Sequence, residues 1–280
     1  MDKITEIISK ALAEDIGSGD HTTLACIHQG AMGRAQLLVK EDGVLSGSDI
    51  ARRVFEMEDV EMIFEKFIED GSPIKNGDIV FSVAGRVHTI LKCERLVLNI
   101  MQRMSGIATR TAHYVSLVEG TGVRIIDTRK TTPNLRILEK LAVRAGGGYN
   151  HRMGLYDMIL IKDNHIDFAG GIKMAITQAN KYLEQTLSGL EIVVEVRNFR
   201  ELEEVLEVGQ VKRIMLDNFS VEDTRKAVSL VGGRYETEAS GGITEKNIRQ
   251  VAQTGVTFIS VGALTHHIKS LDLSLKAVIH

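Results

Sequence analysis

From Val123 onward the chain repeats one arrangement, a short apolar run closed by residues that can do chemistry. VRIID brings Asp127, with Arg129 and Lys130 just behind it, MILIK brings Lys162 and then Asp163, and EIVVEV carries Glu195. RIMLD ends in Asp217, YETEAS leads into Ser240-Gly241-Gly242, and FISVG ends in Gly262. Asn150-His151-Arg152 follows the run Gly146-Gly147-Gly148, and Arg95 is a more distant candidate for the same set. One arginine or lysine alone is most simply a surface ion pair. Five or six of them at segment ends, in a chain of net charge -3, instead predict a pocket for a substrate with several anionic groups, such as phosphates and carboxylates. Glu195 and Asp217 facing that pocket could hold the hydroxyls of a sugar, ligate Mg²⁺ through oxygen, or stabilise a developing oxocarbenium cation. The Ser240-Gly241-Gly242 and Gly262 turns offer backbone N–H groups to phosphate, with glycine permitting close approach.

Other chemistries are excluded by missing motifs. The chain has no GxxxxGK[ST], no GxSxG and no HExxH. Cys26 and Cys93 form no CxxC, which rules out a cysteine-rich zinc site or a disulfide framework and suits a reducing, cytoplasmic setting. His266 and His267 open a helix and lack a third ligand at metal spacing. The methionines of MQRMSG and HRMGLYDM read as core filler. Asp15, Gly17, Asp20, Thr22 and Thr23, within EDIGSGDHTT, read as a loop or cap after the first helix. By itself the triple glycine is a helix C-cap and loop after LRILEKLAVRA. Its polar sequel, Asn150-His151-Arg152, makes it an anion clamp.

The elements that must hold these residues follow from periodicity. MDKITEIISKALAEDIG places Ile4, Ile7, Ile8, Ala11 and Leu12 on one helical face, an amphipathic helix rather than a secretory signal. RAQLLVKEDG, VEMIFEKFIEDG and GDIVFSVAGRV read as strands of a small α+β domain. Within it, DGSPIKNGDIVFSVAG resembles the half-barrel turn of biotinyl and lipoyl carriers, without a carrier lysine dipeptide. A helix from Cys93 to Val118, broken at Ser105-Gly106, bridges to the second domain. There, alternating apolar runs and helical segments imply a parallel sheet. A βα barrel gathers its strand C-termini at one mouth whereas a doubly wound sheet spreads them along a line, so the collected chemistry favours the barrel. The tail LDLSLKAVIH alternates Leu271, Leu273 and Leu275 and returns as a strand to the first domain. With 34 Lys and Arg against 37 Asp and Glu there is no global basic field for nucleic acid, and no stretch is long and apolar enough to span a bilayer.

On these residues the chain resembles the quinolinate phosphoribosyltransferases, also called nicotinate-nucleotide pyrophosphorylases (carboxylating). The matching stretches are EDIGSGDHTT, ERLVLNIMQRMSGIAT, DTRKTTPNLR, EKLAVRAGGGYNHRMGLYDMILIKDNHI, VEVRN, IMLDNF, EASGGI and TGVTFISVGALTHH, in family order from Glu14 to His267. The molybdenum-transport-associated ModD-like proteins, acting on another substrate, share SGIAT, TRKT and GGG but lack the NHR and LIKDNH forms. A non-enzymatic anion-binding or carrier module and a phosphate-binding barrel isomerase are weaker alternatives. The former needs no such mixture of cations and carboxylates, and the latter wants a clearer acid/base pair.

The resemblance implies an α/β fold. Its N-terminal α/β sandwich (α+β) domain spans residues 1–110, with 268–280 returning to it, and an open, TIM-like α/β barrel spans 111–267. It further implies a homodimer or larger assembly in which Arg95 reaches the neighbouring active site to bind quinolinate, alongside Arg129, Lys130, His151, Arg152 and Lys162. By the same resemblance Glu195 and Asp217 face the ribose and Mg²⁺ of phosphoribosyl pyrophosphate. Ser240, Gly241 and Gly262 hold its phosphates, and Lys130 or Lys162 assists loss of CO2. Arg197 of VEVRN departs from the acidic or polar residue expected there.

Overall fold

The computed structural model describes residues 2–278, so Met1 and the last two residues of the returning tail, Ile279 and His280, lie outside the described residues. Two compact units divide the chain: one holds the described residues up to Ala112, Thr131–Gly147 and those from Ala263 onward, and the other holds His113–Lys130 and Gly148–Gly262.

Helix α1 (Lys3–Ile16) starts where the Asp2 carboxylate accepts the Ile4 and Thr5 N–H groups at 3.0 and 3.1 Å, and it stops at Gly17 with φ of 52°. Asp20 then caps α2 (His21–Cys26) by accepting the Thr23 N–H at 3.0 Å, so EDIGSGDHTT ends one helix and starts the next. Next come β1 (Met32–Val39), β2 (Gly43–Val44), α3 (Ser48–Glu58), β3 (Ile63–Lys66), β4 (Pro73–Ile74), β5 (Ile79–Arg86) and α4 (Val87–Leu117). They are followed by β6 (Arg124–Ile126), α5 (Arg136–Ala145), β7 (Ile159–Ile161), α6 (Asp163–Ala169), α7 (Ile172–Thr186), β8 (Ile192–Val196) and α8 (Phe199–Val208). The chain closes with β9 (Arg213–Asp217), α9 (Val221–Val231), β10 (Glu236–Ser240), α10 (Ile248–Ala252), β11 (Phe258–Ser260), α11 (Ala263–His266) and β12 (Leu273–Ala277).

In the first unit an antiparallel sheet runs β12-β1-β5-β3, so the tail does return to the first domain's sheet, with Leu37 opposite Leu275 and Val39 opposite Leu273. Period-two alternation puts Ala35, Leu37, Val39, Phe81, Val83, Leu273 and Leu275 in the core. Phe55 of α3 meets Phe81 edge-on, with ring centroids 6.4 Å apart. The half-barrel-like turn serves its own domain, because Asp70 accepts the Gly47 and Ser48 N–H groups at 2.7 and 3.0 Å and so satisfies the start of α3.

Two helical expectations are corrected. The helix from Cys93 starts earlier, at Val87, and it is continuous through Ser105-Gly106. Ser105 keeps its helical backbone and turns its hydroxyl outward to the β2–α3 segment, accepting the Ser46 N–H at 3.0 Å and donating to the Ser46 carbonyl at 3.2 Å. Gly106 is there for proximity, since a Cβ at this position would collide with the Lys269 carbonyl. The second correction concerns His266, which ends α11 rather than opening a helix, its ring edge-on to His267 at 4.2 Å. The triple glycine behaves as a C-cap: Gly146 N–H reaches the Ala142 carbonyl at 3.0 Å, and Gly147 has φ of 84°.

The second unit holds a six-stranded parallel sheet ordered β6-β11-β10-β9-β8-β7. Strands β7 to β11 lie in chain order and β6 returns beside β11, which is the cyclic order of a barrel opened between β6 and β7. Alternate residues sort cleanly. Ile161, Ile192, Val194, Val196, Ile214 and Leu216 pack with residues of α6 to α9, while Leu160, Val193 and Met215 form a separate cluster on the other face.

Alanine at Gly106 should lower stability even though alanine gains about 1 kcal/mol over glycine in a helix interior. The expected net loss is about 1–2 kcal/mol from the forced displacement of the Lys269 segment, read as a lower urea midpoint at unchanged slope.

Candidate active site

The face of the parallel sheet opposite the helix-packed one carries the chemistry. On β8, Glu195 shares the face of Val193, and on β9, Asp217 shares that of Met215. Ser240 is registered directly beside Asp217. Lys162 follows the last residue of β7, and its Nζ lies 3.5 Å from Glu195 Oε2. Asp127 follows β6 and is fully buried, its carboxylate accepting the His151 N–H at 2.8 Å. The strand ends therefore do bring together residues that the sequence scatters.

Asn218 is a member that sequence reasoning missed. It adopts φ of 57°, donates from its carboxamide to Asp217 at 2.7 Å and from its backbone to the Ser240 carbonyl at 2.8 Å. Asparagine tolerates the left-handed region, and this property was the available signal at the end of RIMLDN. Gly241, with φ of 82°, presses against that carboxamide so closely that a Cβ would overlap it. The Asp217 and Ser240 strand ends are thereby locked to each other. Gly262 lies just beyond β11, where the Val261 N–H bonds to the Ile126 carbonyl at 3.0 Å.

The cations sit on the loops. Arg129 and Lys130 are exposed, with the Lys130 N–H bonded to Thr128 Oγ1 at 3.0 Å. Arg152 is buried, and its guanidinium donates to the Met158 carbonyl at 3.3 Å. Asp157 closes this turn by accepting the Met153 and Gly154 N–H groups at 2.7 and 2.8 Å. Burial, and then the like charge of Arg129, push the Arg152 guanidinium below its ordinary pKa, while Asp157 opposes them. Two guanidiniums repelling one another in this way invite an anion between them. His151 is buried too, with Nδ1 accepting the Arg152 N–H at 2.7 Å and Nε2 lying 3.5 Å from Glu238.

The acids are also a strained set. Burial raises the Glu195 pKa above the ordinary glutamate value; Lys162 opposes the rise, and Asp217 and Asp163 add to it. Among the described residues no group of three or more His, Cys, Asp or Glu side chains could hold a metal ion. The two-carboxylate donor set fits a Mg²⁺ held mainly by ligand oxygens and water. Arg197 turns away from Glu195, pairing with Glu201 at 2.6 Å and Asp167 at 3.2 Å, so its departure from the expected residue ties α6 to α8.

In the first unit, Arg95 lies exposed on α4. On the same helix Arg103 donates to Glu139 at 2.6 Å and to Thr132 Oγ1 at 2.7 Å, and Glu139 accepts the Thr132 N–H at 3.2 Å. Thr132 is thus pinned two residues beyond Lys130 in the chain.

Two family models match the chain: quinolinate phosphoribosyl transferase, N-terminal domain, over residues 20–105, and the C-terminal domain of the same family over 107–276. A tobacco protein named quinolinate phosphoribosyltransferase [decarboxylating] 1b is 45% identical over 96% of this chain and 81% of that protein. A Bacillus subtilis protein named probable nicotinate-nucleotide pyrophosphorylase [carboxylating] is 40% identical over 98% of this chain and 93% of its own length. The crystal structure of NadC from Streptococcus pyogenes superposes with a TM-score of 0.93 at 40% identity, covering 99% of this chain and 98% of that one.

Carboxyl-selective NMR titration of the free protein should place Glu195 above the ordinary glutamate range. Lys162→Met should move it higher still by removing an opposing charge, and Asp217→Asn should move it lower. The reverse order would mean that burial and neighbouring charge do not govern this group.

Proposed function

The chain belongs to the quinolinate phosphoribosyltransferase family, and from that premise we propose how its residues serve the reaction. The protein converts quinolinate and phosphoribosyl pyrophosphate to nicotinate mononucleotide, pyrophosphate and CO2, a step of de novo NAD biosynthesis. The observation that supports the assignment of roles is the two like-charged neighbours at one mouth, Arg129 with Arg152 and Glu195 with Asp217. The first pair suits a dicarboxylate. The second suits a carbon centre that becomes positive.

In this reading Arg129, Lys130, Arg152 and Lys162 grip the two carboxylates and aim the ring nitrogen at C1 of the sugar. The C1–oxygen bond to pyrophosphate breaks as the nitrogen–C1 bond forms, and Glu195 and Asp217 face the oxocarbenium-like charge between them. Ser240, Gly241 and Gly262 receive phosphate oxygens. Mg²⁺ would be held by the substrate's oxygens with Glu195 and Asp217 at hand, and it supplies neutralisation of the pyrophosphate charge. The resulting pyridinium then accepts the electron pair of the C2–carboxylate bond as CO2 leaves, with Lys130 or Lys162 beside the ylide-like carbon until a proton replaces the carboxylate.

A homodimer supports this site. Arg95 is exposed on its own chain, and Leu155, Tyr156 and Phe168 around β7 are 73%, 72% and 93% exposed, an apolar surface suited to a second copy. Among the described residues no helix is long and apolar enough to cross a membrane. The two free cysteines, exposed Cys26 and buried Cys93, fit a cytoplasmic setting.

With quinolinate, phosphoribosyl pyrophosphate and Mg²⁺ the protein should release nicotinate mononucleotide and CO2 in equal amounts, and nicotinate should not replace quinolinate. Arg95→Ala and Lys162→Met should each abolish most turnover. Mixing the two after reversible dissociation should restore about a quarter of wild-type activity, since half the dimers then carry one intact site. No recovery, with mixed dimers demonstrated, would place Arg95 in its own chain's site or outside it.

A further inference from the structure

Below the mouth lies a buried carboxylate that the reaction as described does not use. Glu238, two residues before Ser240 on β10, has no exposure, and its Oε2 accepts from Arg213 Nη1 at 3.0 Å. Arg213 is held in turn by Glu236 at 3.4 Å and by the Phe258 ring, whose centroid is 3.8 Å from the guanidinium carbon. The same Glu238 oxygen lies 3.5 Å from His151 Nε2. Burial alone would push the Glu238 carboxyl up, but the contact with the His151 ring and the hydrogen bond and charge of the Arg213 guanidinium outweigh it and hold the group lowered and ionised.

The hydrogen-bond pattern around His151 fixes its tautomer. Nδ1 accepts the Arg152 N–H at 2.7 Å, so the ring proton belongs on Nε2, where it faces Glu238. The His151 N–H is itself committed to Asp127. Both ring nitrogens therefore point into protein, and the imidazole is a strut between a buried carboxylate and the backbone of Arg152.

We propose that Glu238 is a positioning residue: it fixes the His151 ring, His151 fixes the Arg152 backbone, and Arg152 thereby presents its guanidinium to one carboxylate of the substrate. The proposal rests on the quinolinate reading. It moves His151 from direct substrate contact to the support of Arg152, and it predicts an effect confined to the dicarboxylate.

The test uses the full-length protein and two substitutions. Glu238→Gln keeps an oxygen for Arg213 and His151 but removes the charge, whereas His151→Asn keeps an acceptor for the Arg152 N–H but cannot reach Glu238. Each should raise the quinolinate KM about tenfold and leave the phosphoribosyl pyrophosphate KM within about twofold, because misplacement of one binding group is felt locally. The double variant should be no worse than about the worse single one, as expected for residues acting in series. A double variant that multiplies the two losses, to about a hundredfold, would show that His151 acts on substrate independently and would overturn the relay. Equal rises in both KM values would overturn it as well. If Glu238→Gln does not fold, His151→Asn alone must still raise the quinolinate KM selectively.

An activity-independent readout separates this idea from the functional reading. Imidazole ¹⁵N shifts of wild-type His151 should report a protonated Nε2 and an unprotonated Nδ1, with that preference weakened in Glu238→Gln. A ring protonated on Nδ1 ends the relay whatever the protein catalyses, while failure of wild-type protein to turn over quinolinate ends the functional reading alone.

Discussion

Parallel strands hydrogen-bonded in register commit alternate side chains to opposite faces, and in the second unit this constraint separates packing from chemistry. On β8, Val194 and Val196 go to the helices while Val193 and Glu195 go the other way. Ile214 and Leu216 make the same division with Met215 and Asp217 on β9. A slip of one residue in either strand would drive a carboxylate into the helix-facing core and bring an aliphatic side chain to the mouth. Burying an unpaired carboxylate costs several kcal/mol, so the hydrophobic layer specifies the register and the register specifies the site.

What the register assembles sets like charges beside one another. Arg129 depresses the charged form of Arg152, and Asp217 and Asp163 oppose the charged form of Glu195. The opposite-sign contact of Lys162 with Glu195 relieves only part of the second problem. Interactions of this kind are strongest in a partly desolvated mouth. A molecule that offers negative charge to the arginines and positive charge to the carboxylates would relieve them, and in the proposed reading a pyridine dicarboxylate attacking an oxocarbenium-like sugar offers both.

The legible part of this design was the part written in local pattern. Apolar runs such as RIMLD and EIVVEV coincide closely with β9 and β8, because a strand buried on both faces has to be apolar nearly throughout. Their chemical termini could therefore be located before the fold was known. Glu238 was hidden for the opposite reason: the run YETEAS was legible only by the turn that ends it, and the partners of Glu238 are Arg213 on another strand and His151 on a loop. Gly106 misled in the same way, since helix propensity reads it as a break while its actual neighbour, the Lys269 carbonyl, comes from the far end of the chain. Arg197 could not be interpreted from its own segment, because one of its two partners, Asp167, stands thirty residues earlier on α6.

The two carboxylates at the mouth differ in how they are held, and this difference bears on their work. Asp217 is fixed by Asn218, which is itself trapped in a left-handed conformation against Gly241, so its orientation is set by backbone geometry that substrate binding need not disturb. Glu195 is oriented by a lysine that is itself half exposed and that, in the proposed reading, also binds the dicarboxylate. One acid therefore has a fixed place, which suits the proposed role beside a developing charge because no reorganisation is needed. The other, if Lys162 grips the substrate as proposed, shares its counter-ion with it, and the field it exerts then depends on what Lys162 is holding. A site built this way keeps one carboxylate constant and makes the other responsive to occupancy, which a rigid ring of identical ion pairs could not do.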